Sequence, residues 1–168
     1  MSFGQALETV RTSRGETQEG PAKVAHVSPA SVSKYEIGTR KPNDVTMRKL
    51  VEHYDSPELC IEASLDYNGG TSSPWLSRAD LHKTSVHLKT IEEISEATAA
   101  LASTPITKRK DQLSPDDLKV IKSAIMEQIE AITALTHNVA ILCKEYGFSW
   151  MGLWREHRQE LKMKGYLN

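Results

Sequence analysis

The chain has 168 residues, room for one domain or two small ones, with 39% hydrophobic, 6% aromatic and 26% charged residues. That composition is soluble and leans toward helix over sheet, and no stretch approaches the roughly 18 apolar residues of a membrane-spanning helix. A formal net charge of −1 excludes a protein that coats polyanions through bulk electrostatics, so any such contact must come from a local patch. The first fifteen residues carry no continuous apolar core of a signal peptide. Cys60 and Cys143 lie in unrelated segments and cannot build a disulfide scaffold or a metal cage. A reduced, cytoplasmic protein is expected, with no membrane partner.

No segment shows the apolar-polar alternation that strands require, so the whole chain reads as all-α. The predicted first helix covers residues 3–14, with Phe3, Ala6, Leu7 and Val10 spaced by three and four, and stops at Gly15. A second opens at Thr17, whose hydroxyl can cap it, and continues to Ala25. The third is capped by Ser28, has Pro29 at its first position, and stops at Gly38. The fourth follows Pro42, capped by Asn43 or Asp44, with Val45, Met47, Leu50, Val51 and Tyr54 as its apolar residues. The fifth repeats the cap-plus-proline device at Ser56-Pro57 and runs to about Leu65.

Residues 66–78 gather Gly, Ser, Asn and Pro without periodicity and read as a flexible linker. The expected organisation is therefore a five-helix domain over 1–65 and a helical domain over 79–168. In the latter, residues 80–103 form a helix with an apolar stripe of Leu81, Leu88, Ile91, Ile94 and Leu101. Lys108, Arg109 and Lys110 form a charge run that reads as a solvated loop rather than a contact to a phosphate backbone. Ser114-Pro115-Asp116-Asp117 then starts a helix of about 30 residues, with acids in its first turn. Its seam is Leu118, Ile121, Ile125, Gln128, Ile132, Leu135, Val139, Leu142 and Tyr146, a heptad pattern with one polar interruption. This seam can serve dimerisation or the centre of an intramolecular bundle, and a bundle that also dimerises is the preferred reading. A last amphipathic helix covers residues 149–164. Of its aromatic cluster Phe148, Trp150 and Trp154, core packing is the expected use.

The turn at His26-Val27-Ser28 places the third helix across the second, the arrangement that lets one helix enter a major groove. The run Thr17-Gln18-Glu19, then Val27-Ser28-Pro29-Ala30-Ser31-Val32-Ser33-Lys34-Tyr35-Glu36-Ile37-Gly38, then Thr39-Arg40-Lys41-Pro42, resembles the XRE, or lambda-repressor-like, helix-turn-helix family. The resemblance covers about residues 3–62. It implies double-stranded operator DNA as the partner, a phosphate contact from Gln18, and base contacts from Pro29, Ala30, Ser31, Ser33 and Lys34. The physical reading agrees in part: Lys34 can donate to guanine, Ala30 can touch a thymine methyl, and Val32 and Tyr35 should face inward. Thr39, Arg40 and Lys41 are placed for phosphates. The block to Asp55 has eight Lys and Arg against seven Asp and Glu, so Glu8, Glu36 and Glu52 must turn away from DNA or act internally.

Two departures from the family pattern stand out. Pro21, after Gly20, replaces an apolar residue and should forfeit a core contact, and His26 occupies a turn position usually held by glycine. No histidine or cysteine has zinc-motif spacing, so neither metal nor cofactor is expected. No nucleophile elbow or phosphate loop is present, and no strands or Ala-Gly cleavage dipeptide support a self-cleaving peptidase, so an enzyme is not expected. The sequence points to a DNA-binding transcription regulator, a phage- or prophage-type repressor acting as a homodimer or higher oligomer and controlled by an antirepressor protein, a small ligand or assembly. The alternative is a protein-interaction module: an antitoxin or an antirepressor-binding adaptor built on the same domain.

Overall fold

A computed structural model describes all 168 residues as eight α-helices and one 3-10 turn, without strands. The helices are α1 (Phe3–Ser13), α2 (Glu19–Ala25), α3 (Pro29–Ile37), α4 (Asp44–Tyr54), α5 (Pro57–Asn68), α6 (Lys83–Ser103), α7 (Pro115–Tyr146) and α8 (Trp150–Met163). The caps follow local chemistry. Ser28, Asn43 and Ser56 accept from the backbone three residues ahead, and Gly38 ends α3 in the left-handed region. Ser114 and Asp117 exchange bonds reciprocally at the start of α7. Thr17 does not cap α2. Gln18 occupies that position with a helical backbone and no side-chain cap bond, so the segment before α2 turns without help from the threonine hydroxyl.

The chain divides into two compact units, Met1–Arg78 with Cys143–Asn168, and Ala79–Leu142. In this division the last 26 residues group with the N-terminal unit, whereas the sequence expectation drew domains over 1–65 and 79–168. The expected linker over 66–78 is also shorter and less free than its composition suggests. Helix α5 extends through Asn68 before Gly69, and Trp75 is buried.

In the first unit α1 packs against α3 and α5, and α2 against α3 and α4. Phe3, Ala6, Leu7, Ala22, Val32, Tyr35, Met47, Leu50, Tyr54 and Leu59 form the core. Gly4 is required by close approach, because a Cβ there would sit 2.1 Å from the Tyr35 carbonyl oxygen. Pro21 is fully buried, so it fills the core position that sequence reasoning took to be lost.

The C-terminal segment is fastened to this unit by polar contacts. Asp55, in the left-handed region at the end of α4, accepts from Ser149 Oγ and from the Met151 N–H at 2.8 Å. A carboxylate thus caps the positive end of α8 from 96 residues away. Lys144 pairs with Glu58, and Trp150 is buried while Trp154 meets it edge-on at 5.8 Å and Phe148 stays exposed. Core packing therefore holds for Trp150 alone. Asp55→Ala is expected to lower stability by about 1–2 kcal/mol and to speed amide exchange at the start of α8. Hydrogen exchange at Met151 as slow as in the parent protein would contradict this.

The second unit is an antiparallel α6–α7 hairpin. Thr90 Oγ1 donates to the Ala134 carbonyl at 3.1 Å, and His87 Nδ1 lies 3.4 Å from Asn138 Oδ1. The buried line uses small or polar residues, namely Val86, Thr90, Glu93 and Ala97 on α6 with Ala124 and Ala131 on α7. The expected α6 stripe is not this line. Leu88, Ile91, Ile94 and Leu101 are exposed. No helix is long and apolar enough to cross a membrane.

Candidate nucleic-acid interface

Helix α3 is short, begins with proline behind a serine cap, and ends at a glycine, so its length is set at both ends. Its inward face is Val32, Tyr35 and Glu36, all buried. Its outward face is Ala30, Ser33, Lys34 and Ile37, spaced by three and four. Ala30, Lys34 and Pro29 are exposed, Ser31 and Ser33 are half-buried, and Ile37 is 72% exposed. Sequence reasoning missed Ile37. The signal was its position seven residues after Ala30 on the same face.

What holds α3 in place is a buried ion pair. Arg11 on α1 grips Glu36 with a two-pronged contact, Nε to Oε1 at 2.6 Å and Nη2 to Oε2 at 3.1 Å. Its Nη1 donates to the Glu16 carbonyl at 2.7 Å. The hydrogen bond to Glu36 raises the arginine's already high pKa, so the guanidinium stays charged. Gln18 joins the same group, its Nε2 donating to Glu36 Oε2 at 2.8 Å. Glu36 thereby ties α1, the start of α2 and α3 together, which is the internal role its charge demanded.

The turn between α2 and α3 passes through His26 in the left-handed region, at φ 56° and ψ 47°. That is the conformation a glycine would adopt more freely. Ser28 Oγ and Ser31 Oγ lie 3.0 Å apart, so Ser31 is committed to the cap. Past α3, Thr39 Oγ1 donates to the Lys34 carbonyl at 3.3 Å, and Arg40 is exposed. Lys41 pairs with Asp66 at 3.0 Å on the surface, where the bond is weak and exchangeable. Gln18 has one amide donor engaged by Glu36 and a second left for an anion.

Residues 7–59 match the family model described as helix-turn-helix. The N-terminal domain is a helix-turn-helix domain. Its matched span contains the α2–turn–α3 pair and every expected DNA-contact residue. The match supports DNA binding by this domain. No curated protein and no solved structure matches the chain.

Among other candidate groups, Cys60 has its thiol pKa pushed up to about 12, chiefly by burial and further by Asp55 and Glu58. Burial also raises that of Cys143. Neither is a thiolate at neutral pH, so neither is a reactive nucleophile.

Proposed function

We propose that the protein is a sequence-specific transcription regulator of phage or prophage repressor type that binds operator DNA as a dimer. The observation that carries the reading is the outward face of α3. Ala30, Ser33, Lys34 and Ile37 project from a helix whose buried side is locked by Arg11, Glu36 and Gln18. In this reading Lys34 donates to a guanine edge, and Ala30 and Ile37 meet thymine methyls. Pro29, Ser31 and Ser33 line the same groove. Gln18, Thr39, Arg40 and Lys41 hold phosphates on either side.

Dimerisation is assigned to the hairpin. Ile125, Ile132, Leu135, Val139 and Leu118 are exposed, and Ile121, Gln128 and Leu142 are half-buried. At about 100° per residue, this seam lies roughly a quarter turn from the α7 face that meets α6. On α6, Ile91, Ile94 and Leu101 lie about a quarter turn from the buried line, in the same rotational sense. In an antiparallel pair the same sense puts both stripes on one side. The hairpin therefore presents a two-helix apolar face suited to a second hairpin, giving a four-helix bundle. Gln128, the one polar seam position, would fix register there.

Binding to fragments of the protein's own promoter region, at stated salt, tests the reading. Lys34→Ala is expected to cost about 1–3 kcal/mol on operator and to relax selectivity at one base pair. Arg40→Ala should weaken operator and random DNA alike. Equal losses on both DNAs for Lys34→Ala would make that residue a backbone contact. Absence of any sequence-selective binding would favour a protein-interaction module, an antitoxin or antirepressor-binding adaptor.

A further inference from the structure

The side of the hairpin away from the apolar face gathers three carboxylates. Glu127 and Glu130 stand one turn apart on α7, and Glu93 comes from α6. One carboxylate oxygen of each lies within 4.8 Å of the other two. Glu93 is only 8% exposed. Its Oε1 meets Lys89 Nζ at 3.0 Å, while its Oε2 is buried with no hydrogen-bond partner. Lys89 is shared, because it also pairs with Glu92 at 2.9 Å. One exposed ammonium thus serves two carboxylates of α6, and the buried Oε2 remains without a donor beside two further acids.

A carboxylate oxygen removed from water without a donor is costly, and carboxylates at this separation repel one another. A divalent cation removes both penalties at once. The donors are all oxygens, with no imidazole or thiolate among them, and this selects hard cations over zinc or copper. We propose that Glu93, Glu127 and Glu130 bind one hard divalent cation, of the Mn²⁺ or Ca²⁺ class, with water completing the shell. Bridging α6 and α7, the ion acts as a clip on the hairpin. No motif spacing marks such a site, since its ligands come from two helices and the metal expectation drawn from sequence rested on histidine and cysteine. The site faces away from Ile94 and the α7 seam, so it stays open in a dimer and is independent of that assignment.

Full-length protein stripped with a chelator and titrated with Mn²⁺, followed by electron paramagnetic resonance and calorimetry, tests the site. One equivalent per chain is expected, with a melting temperature that rises with Mn²⁺. Glu130→Gln, at an exposed position that does not endanger folding, is expected to weaken binding by at least about the tenfold that loss of an outer-shell partner costs. Lys89→Met should tighten it, because the ammonium competes for Glu93. No saturable Mn²⁺ or Ca²⁺ binding up to about 1 mM would overturn the proposal. So would unchanged binding in the Glu93→Gln, Glu130→Gln double variant, which would place the ion elsewhere.

Discussion

Replacing Ile125 and Ile132 with aspartate is expected to convert a dimer into a monomer of 18.7 kDa and to weaken operator binding about 10²-fold or more. Both side chains are half exposed within one chain, at 50% and 56%, so the folded protomer loses little when they change. In a hairpin-to-hairpin bundle they become core, and an unpaired carboxylate buried there costs several kcal/mol. A single helix-turn-helix head reads few base pairs. Two heads on one twofold axis combine their binding energies, and separating them forfeits that gain without touching a DNA contact. Ser123→Asp, on the other side of α7, should leave the dimer intact. Light scattering that gave a monomer for the parent protein at micromolar concentration would sink the assignment, leaving Ile91, Ile94 and Leu101 without a partner.

The recognition of the N-terminal domain from sequence worked because its signals are local. Ser28 with Pro29, Asn43, and Ser56 with Pro57 each fix a helix start by their own chemistry, and Gly38 fixes an end. Thr17 failed as a cap because another residue one step on takes the boundary. Pro21 was misjudged because proline was not counted among the apolar residues, although its ring is apolar and fits the core. The hairpin shows a different limit. Periodicity marks which side of α6 is apolar, but it cannot say whether that side meets its own chain or another. The intramolecular contact uses Val86, Thr90, Ala97, Ala124 and Ala131, whose small side chains leave a faint hydropathy signal. Asp55 capping α8 had no local signal at all, since its partners lie beyond three other helices in sequence. The Arg11–Glu36 pair was legible by half: an acid inside the recognition helix had to be neutralised, but its partner 25 residues away was not specified.

That pair also sets the second large expectation, for stability. Glu36→Gln should destabilise the N-terminal domain by about 3–5 kcal/mol, because it leaves Arg11 charged and 9% exposed without its counter-ion. Arginine's intrinsic pKa is too high for the stranded guanidinium to escape by losing its proton. Against a typical domain stability of about 5–15 kcal/mol, this is a large fraction of the whole. The variant keeps the shape of the side chain, so the loss measures charge and not a cavity. Replacing both partners, as Arg11→Met with Glu36→Leu, should cost less than the sum of the two single changes, since no charge is then stranded. Urea unfolding of the full chain, followed by circular dichroism, gives all four corners of that cycle. A Glu36→Gln loss below about 1 kcal/mol would match a solvent-screened surface pair. In that event the alignment of α3 would have to rest on Val32, Tyr35 and the Gly4 contact.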